Sequence, residues 1–190
     1  MNNKVSNNNK PAILVSACLL GVNCNYKGGC SYDFTRDSRL WTSLNEKYTI
    51  IPICPEQLGG LSTPRIPSEL IATSENVLNQ KGQVISREGT DVTANFVKGA
   101  KESARFAELY NVQFAVLKSK SPSCGVKSVY DGSFGGVLVD GMGITACLLK
   151  KMGIMLFDEN DFADLEKCTL SDYKVEAGLS ELFLEKSVQK

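Results

Sequence analysis

The chain alternates between short apolar runs and longer stretches in which apolar residues recur at helical spacing. An uninterrupted apolar run is typical of a strand that is buried on both faces of a parallel sheet. Such runs predict strands at 12–17, 49–54, 113–118, 135–139 and 154–157. Pro52 argues against a central position for the second strand, because proline cannot donate a hydrogen bond to a ladder.

The clearest helical pattern covers 93–110, with Thr93 placed to cap the first turn. A small hairpin is predicted within 76–85, around the turn sequence Asn79-Gln-Lys-Gly82. Residues 57–68 contain two glycines and two prolines and are predicted to form a long irregular loop. Further helices are predicted at 38–47, 144–151, 161–169 and 175–186.

The alternation of strands and helices predicts an α/β fold: a single-domain, three-layer α/β/α sandwich with a mainly parallel, Rossmann-like sheet. At 190 residues the chain is long enough for one well-buried core. We expect a disordered N-terminus at 1–10, an α/β domain at 11–158, and a C-terminal helical extension at 159–190 that packs on the domain.

The charge balance argues against nucleic-acid and membrane partners. The formal net charge is zero, so nothing predicts strong binding to DNA or to an anionic membrane. The apolar runs are also far shorter than the roughly 20 residues that a membrane-spanning helix needs. The chain has seven cysteines and no recognisable secretion signal, so we expect a cytoplasmic protein with reduced thiols.

Three cysteines share one position relative to the predicted strands. Cys18, Cys54 and Cys124 each follow an apolar run and lead into loop residues. Because the carboxyl ends of parallel strands meet at one edge of a sheet, these thiols are predicted to face one crevice. The chain contains no histidine, the commonest general base and imidazole ligand. Three thiolates without imidazole suit a soft metal site with one open position.

The remaining cysteines are weaker candidates. Cysteine is common in protein cores, so a structural role is the alternative for every thiol in the chain. Cys24 and Cys30 follow Cys18 at intervals of six residues, and each is a candidate for a fourth ligand or a reserve thiol. Cys147 lies in an apolar segment and is predicted to be a core residue, and Cys168 is predicted to be structural.

Several residues near the three cysteines are candidates for proton transfer and binding. In a chain without histidine, Glu56 is the natural proton relay. Ser121 and Ser123 are placed to donate hydrogen bonds to a sulfur or to position a water. Arg65, held between two prolines, suits an anion or a carbonyl, and Tyr26 lies in a loop whose glycines allow close approach to a ligand. Each of these residues also fits an ordinary surface or turn position.

Four segments occur in a specific order along the chain: Val15-Ser-Ala-Cys-Leu-Leu-Gly21, Cys54-Pro-Glu-Gln-Leu-Gly-Gly-Leu-Ser-Thr-Pro-Arg65, Asp91-Val-Thr93 and Lys118-Ser-Lys-Ser-Pro-Ser-Cys-Gly125. Together they resemble the small bacterial family that contains the thiouracil desulfidases. The similarity covers about residues 12–157, which is most of the chain.

This resemblance implies a [4Fe–4S] cluster held by Cys18, Cys54 and Cys124, with a fourth iron free to take the sulfur of a thiocarbonyl substrate. It also implies that Glu56 handles protons and that Ser121 is the active-site serine. Tyr26, Arg65 and Ser123 are the expected substrate contacts.

The expected function is an iron–sulfur-dependent desulfidase that removes sulfur from a thiolated pyrimidine, a 2-thiouracil-like base or nucleoside. The reaction is expected to be a non-redox hydrolysis that releases sulfide. The expected partner is a small-molecule thiolated base, and the protein is expected to be a monomer or a weak homodimer. One alternative is a non-catalytic metal- or sulfur-binding protein that uses the same cysteine site. Another is a metal-free enzyme with one cysteine nucleophile of lowered pKa.

Overall fold

A computed structural model of the chain describes residues 10–167. Its strands are β1 (Ala12–Ser16), β2 (Thr49–Ile53), β3 (Ser68–Leu70), β4 (Val84–Ser86), β5 (Phe114–Leu117), β6 (Ser128–Tyr130), β7 (Leu138–Asp140) and β8 (Met155–Asp158). Its α-helices are α1 (Ser38–Lys47), α2 (Pro55–Leu58), α3 (Ser74–Leu78), α4 (Thr93–Leu109), α5 (Ile144–Lys151) and α6 (Phe162–Lys167). Two 3-10 turns lie at Ala17–Leu19 and Phe34–Arg36.

Four parallel strands form the main sheet in the order β2-β1-β5-β8. β1 pairs with β2 up to Ser16 opposite Ile53, and with β5 up to Val15 opposite Val116. β2 is an edge strand, which explains how the sheet tolerates Pro52. Because β2 and β5 flank β1 on opposite sides, the loops that follow these three strands open onto one edge of the sheet.

Helices cover both faces of this sheet, so that the domain has three layers. On one face, Ala107 of α4 and Leu149 of α5 pack with Leu14 of β1. On the other face, Leu44 of α1 and Leu165 of α6 pack with the side chains of β1 and β5 that point to that face. Successive side chains of a strand point to opposite faces, so each apolar run supplies both layers. The predicted three-layer α/β/α architecture with a parallel sheet is confirmed.

The hairpin predicted within 76–85 is wrong. Ser74–Leu78 forms α3, and the side chain of Thr73 accepts a hydrogen bond from a main-chain N–H in its first turn. Val84–Ser86 pairs in antiparallel fashion with Ser68–Leu70, a strand that begins at the last residue of the loop predicted at 57–68. The predicted turn is present, but the strand that follows it pairs with β3, which lies earlier in the chain.

Two further predictions differ from the structure. The strand predicted at 135–139 is displaced to Leu138–Asp140, and it pairs with Ser128–Tyr130 in a separate two-stranded ribbon outside the main sheet. Thr93 is the first residue of α4 and makes no cap. Its Oγ1 instead accepts a hydrogen bond of 2.9 Å from the N–H of Val84, which ties α4 to β4.

Part of the predicted C-terminal extension is described. The helix predicted at 161–169 is present as α6, and its Leu165 is buried against the core. In residues 10–167 no helix combines the length and apolar character needed to cross a membrane. Three predictions lie wholly or largely outside the described residues: the disorder at 1–10, the helix at 175–186 and the role of Cys168.

Glycines allow α2 and α4 to approach each other closely. A Cβ on Gly99 of α4 would lie 1.9 Å from the carbonyl oxygen of Pro55, and a Cβ on Gly59 would lie 2.1 Å from the carbonyl oxygen of Asn95. The Asn95 side chain also donates a hydrogen bond of 3.0 Å to the Gly59 carbonyl oxygen. Because α2 begins two residues after β2, this packing fixes the chain that leaves the edge of the sheet.

Gly99→Ala is expected to destabilise the protein by about 1–3 kcal/mol, because the added methyl group forces α4 away from α2. Denaturant unfolding measures the difference from the unmodified protein. Lys101→Ala, on the exposed face of the same helix, is the matched control and is expected to stay within about 0.5 kcal/mol. Equal stabilities of the two variants would show that the close approach has no energetic weight.

Candidate functional site

The loops after β1, β2 and β5 line one cavity of about 750 Å³. Cys18, Cys54 and Cys124 reach it from three different loops, in the arrangement that their positions after the strands led us to expect. Residues of β3 and of the segment after β6, including Glu69 and Phe134, complete the wall. The convergence follows from the sheet, since parallel strands that end at one level deliver their loops to one place.

Cys18 and Cys54 lie in tight turns directly after their strands. The carbonyl oxygen of Cys18 accepts hydrogen bonds from the N–H groups of Ser31 at 2.8 Å and Tyr32 at 3.0 Å. The side chain of Ser31 also hydrogen-bonds the Cys18 thiol. Cys54 is the residue before α2, and its thiol accepts a hydrogen bond from the N–H of Gln57. Both thiols therefore meet donors that stabilise a thiolate.

The first turn of α5 holds the loop that carries Cys124. The N–H of Ile144 donates to the carbonyl oxygen of Pro122 at 2.9 Å, and the N–H of Thr145 donates to the next carbonyl along the loop at 2.9 Å. The first N–H groups of a helix have no partner within it, so the loop satisfies them. The hydroxyl of Ser16, at the end of β1, hydrogen-bonds the Cys124 thiol.

A fourth cysteine, Cys24, lines the same cavity. Hydrogen bonding with the Cys18 and Cys54 side chains raises the pKa of its thiol. Its carbonyl oxygen lies 3.6 Å from the Cys54 sulfur and accepts a hydrogen bond from Arg65 Nη2 at 3.1 Å. The only signal in the sequence was its spacing from Cys18, which left its role open.

Glu56 is held between a guanidinium group and a hydroxyl group. Its Oε2 is paired with Arg65 Nε, and only 16% of the Glu56 side chain and 7% of the Arg65 side chain are exposed. Its Oε1 lies 3.5 Å from Ser121 Oγ. The same Oγ accepts hydrogen bonds from the N–H groups of Ser123 and Cys124, both at 3.1 Å. The Ser121 proton is thus left to point at Glu56.

Arg65, expected to contact the substrate, uses its guanidinium group within the protein. Besides the pair with Glu56, Nη1 donates to the carbonyl oxygen of Ser62 and to Thr63 Oγ1, each at 3.2 Å. Nη2 donates to the carbonyl oxygen of Cys24. Since Nε, Nη1 and Nη2 all have partners in the chain, the geometry directs Arg65 at Glu56 and the surrounding loops.

The other candidate residues divide between the cavity, the interior and the surface. Tyr26 lines the cavity and is 43% exposed. Ser123, expected to contact the substrate, is completely buried and hydrogen-bonds Thr145 Oγ1 at 2.9 Å, so its hydroxyl faces α5. The core position predicted for Cys147 is wrong, because this residue is half-buried on α5, and Cys30 is exposed.

The donor set at this cavity fits a thiophilic group that is larger than one ion. Three thiols approach from three loops, each with a hydrogen-bond partner, and the chain has no imidazole. Within residues 10–167, no three His, Cys, Asp or Glu side chains are arranged to hold a metal ion.

Hydrogen bonding and burial shift the pKa values of the thiols in opposite directions. The hydrogen bond from Cys24 lowers the pKa of Cys54 to about 6. The same thiol, followed by Ser31, lowers the pKa of Cys18. Burial raises the pKa of Cys124. In the metal-free protein the Cys54 thiol therefore ionises more readily than the Cys124 thiol.

In the reduced, metal-free protein, the alkylation rate of Cys54 is expected to rise with pH through a midpoint of about 6 and then to level off, because the thiolate is the reactive form. Brief iodoacetamide treatment at each pH, followed by peptide mass spectrometry, measures this. Cys24→Ala is expected to move the midpoint to higher pH, whereas Cys147→Ala leaves it in place. A midpoint near the ordinary thiol value of about 8.5 would contradict this account.

Arg65→Met is expected to destabilise the protein by about 1–3 kcal/mol at neutral pH, because it leaves the half-buried Glu56 carboxylate without its charged partner. The double variant Arg65→Met/Glu56→Gln is expected to recover much of that loss, since no unpaired charge remains. Urea unfolding of both variants gives the comparison. If the double variant is no more stable than the single one, the charge on Glu56 is not the cause.

The model of the 2-thiouracil desulfurase family matches residues 13–161. The chain is also 39% identical over 154 residues to the uncharacterized protein YbbK of Bacillus subtilis (strain 168). This alignment covers 80% of this chain and 99% of that protein. Among solved structures it is similar to the [4Fe-4S]-dependent thiouracil desulfidase TudS (DUF523Vcz), with a TM-score of 0.69 and 36% identity over 82% of this chain and 95% of that one. The family match spans all three cysteine loops, and the chain belongs to the 2-thiouracil desulfurase family.

Proposed function

We propose that this protein is an iron–sulfur-dependent desulfidase for a thiolated pyrimidine, a 2-thiouracil-like base or nucleoside. The reaction is a hydrolysis in which the thiocarbonyl and water become a carbonyl and hydrogen sulfide, without net electron transfer. The observation that carries the proposal is the meeting of three thiols with the Glu56–Ser121 pair at one cavity. Membership of the family and similarity to TudS support it.

We assign Cys18, Cys54 and Cys124 as the ligands of a [4Fe–4S] cluster. The three thiols come from separate loops, and each has a hydrogen-bond partner. TudS is described as [4Fe-4S]-dependent, which agrees with this all-sulfur donor set. When bound, the cluster supplies an iron without a protein ligand, which acts as a Lewis acid toward the thiocarbonyl sulfur.

Glu56 is assigned the transfer of protons. Arg65 occupies Oε2, while Oε1 is directed toward Ser121. Oε1 accepts a proton from the water that attacks the thiocarbonyl carbon and returns it to the departing sulfur, and it transfers the second water proton in the same way as the carbonyl forms. The Ser121 hydroxyl group donates a hydrogen bond to Oε1, because two main-chain N–H groups already donate to the lone pairs of its oxygen. This contact keeps the carboxylate oriented for both transfers.

Tyr26 is assigned to substrate binding. It lines the cavity, and its ring offers a flat apolar surface on which a pyrimidine can stack. In place of the substrate contacts expected from the sequence, Arg65 is assigned to orienting Glu56. Ser123 is assigned to fastening the cysteine loop to α5.

We infer that the protein acts in the cytoplasm, where thiols stay reduced. The cavity suits a small molecule, and the zero net charge gives no attraction for DNA. The residues assigned to the reaction line one cavity of the domain, and we propose that the protein acts as a monomer or a weak homodimer.

Anaerobic reconstitution with iron and sulfide tests the ligand assignment. The protein is expected to bind about four irons per chain, the content of one [4Fe–4S] cluster. Cys18→Ala, Cys54→Ala and Cys124→Ala are each expected to lose the cluster, as measured by iron analysis and the visible spectrum. Cys147→Ala is the matched control and is expected to keep it. A native chain that binds no iron would sink the proposal.

Sulfide release from 2-thiouracil under anaerobic conditions tests the activity. Glu56→Gln and Ser121→Ala are both expected to keep the cluster. For Glu56→Gln the rate of sulfide release is expected to fall by about 10²–10⁴-fold, the usual contribution of general acid–base catalysis. A smaller loss is expected for Ser121→Ala, because the carboxylate remains. Cluster uptake without any sulfide release from thiolated bases or nucleosides would instead identify a non-catalytic iron–sulfur protein.

A further inference from the structure

Glu69 is a buried acidic residue at the cavity that the proposed function does not use. It lies on β3, is only 7% exposed, and lines the cavity together with the assigned groups. Its Oε2 accepts hydrogen bonds from the main-chain N–H groups of Gly132 and Phe134, both at 3.0 Å. Two donors on one oxygen fix the direction of the carboxyl group, so the protein also sets the position of the other oxygen, Oε1.

The Oε1 atom of Glu69 is left without a partner. Within residues 10–167, no N–H, hydroxyl or cationic group donates to it. It is not sealed away from solvent either, because Gln113 Oε1 is the one buried side-chain oxygen or nitrogen among the described residues that lacks a partner. Most buried acceptors in proteins have a hydrogen-bond partner. Oε1 is therefore an acceptor that remains available to a molecule in the cavity.

The same carboxyl group stabilises the wall of the cavity. Gly132 and Phe134 both have a left-handed backbone, with φ of +88° and +56°, which is unfavourable for Phe134 because it carries a side chain. Glu69 accepts a hydrogen bond from each of them, and Phe134 lines the cavity. A structural role is thus the alternative to a binding role, and a test has to separate the two.

The length of the intervening chain keeps Glu69 close to the groups assigned to the reaction. Arg65, which orients Glu56, precedes Glu69 by four residues, and four residues span at most about 14 Å. Glu56, Glu69 and the cysteine loops also line one cavity. A pyrimidine held between the cysteine loops and Glu56 therefore lies beside the part of the wall that Glu69 supplies.

A thiolated uracil carries the donor that Oε1 lacks. Its N3 bears a hydrogen and lies next to the ring carbon that holds the sulfur, whether that carbon is C2 or C4. N1 carries the sugar in a nucleoside, so N3–H is the ring donor that bases and nucleosides share. In a thiolated cytosine N3 has no hydrogen and is itself an acceptor, so it has no favourable contact with a carboxylate oxygen.

We propose that Glu69 is a specificity-determining residue whose Oε1 accepts a hydrogen bond from N3–H of the substrate and so selects thiolated uracils over thiolated cytosines. A site built to bind a substrate N–H discriminates strongly against an analogue that lacks it, because the acceptor is then left unpaired. The inference rests on the proposed function, since it names the substrate class of that same site. Glu69 holds the ring, and the proton transfers stay with Glu56.

Glu69→Gln tests the inference with little change of shape. The N–H groups of Gly132 and Phe134 require an acceptor, so the amide oxygen takes the place of Oε2 and the amide NH₂ group takes the place of Oε1. The wall is kept, while the group available to the substrate changes from an acceptor to a donor. Glu75→Gln, which changes an exposed carboxyl group on α3, is the matched control.

The full-length native protein and both variants are reconstituted anaerobically, and each is expected to bind the native amount of iron. The kcat/KM for sulfide release is then measured with 2-thiouracil, 3-methyl-2-thiouracil and 2-thiocytosine. The native protein and Glu75→Gln are expected to prefer 2-thiouracil to both other bases. In Glu69→Gln the ratio of kcat/KM for 2-thiouracil to that for 2-thiocytosine is expected to fall by about 10–100-fold, the range for one hydrogen bond to a charged group.

Binding of the desulfurated products gives a readout without turnover. Isothermal titration calorimetry measures the dissociation constants of uracil and cytosine for the same three proteins. The preference for uracil is expected in the native protein and in Glu75→Gln, and it is expected to be lost in Glu69→Gln. A purely structural role for Glu69 would weaken both products and slow both thiolated bases together, and it would leave the ratios unchanged.

Two results would overturn the inference. One is a native protein that acts equally well on 2-thiouracil and 3-methyl-2-thiouracil, because N3–H is then not recognised. The other is a folded Glu69→Gln variant with native ratios. Both leave the desulfidase proposal standing, since sulfide is still released. If the native protein releases no sulfide, the desulfidase proposal fails, and the product dissociation constants alone decide whether Glu69 selects the ring. Should Glu69→Gln fail to fold, the comparison of the two thiouracils in the native protein is decisive.

Discussion

The in-register pairing of three parallel strands is the constraint on which the site depends. Ser16 at the end of β1 stands opposite Ile53 at the end of β2, and Val15 stands opposite Val116 of β5. The three strands therefore finish at one level, and a cysteine placed after each reaches the same cavity. A slip of one residue would turn every side chain to the opposite face of the sheet. The apolar packing that fixes the register thus also sets where the thiols meet.

Around the cavity, a few polar groups join loops that are distant in sequence. Arg65 is the main example: its N–H donates to the Tyr26 carbonyl oxygen at 2.9 Å, while its guanidinium group contacts Cys24 and Glu56. Ser121 similarly ties its own loop to Glu56. Side chains whose partners are already in place need little rearrangement when a ligand arrives, which is the usual requirement for efficient electrostatic catalysis. Hydrogen bonds within the chain therefore already hold the side chains around the cavity in position.

The features that the sequence could predict are those with a local signal. The runs at 12–17 and 113–118 are apolar on both faces, and the central strands they predicted are almost wholly buried. The convergence of the cysteine loops followed from the geometry of parallel strands. The contact between Arg65 and Cys24 could not be predicted, because this hydrogen bond joins residues 41 positions apart and no local pattern encodes it. The prediction of a hairpin within 76–85 was wrong for the same reason, since the sequence of a strand does not identify the strand with which it pairs.

Pro52 has a consequence for how the domain behaves among other copies of itself. It lies on the edge strand β2, opposite Val15, and has no N–H to offer. A proline within a strand is accommodated with its nitrogen facing away from the ladder, so the free side of β2 lacks one donor in the middle of its row. An incoming strand would find that row broken. The residue that first argued against a central strand thus protects the sheet from adding strands and growing into aggregates.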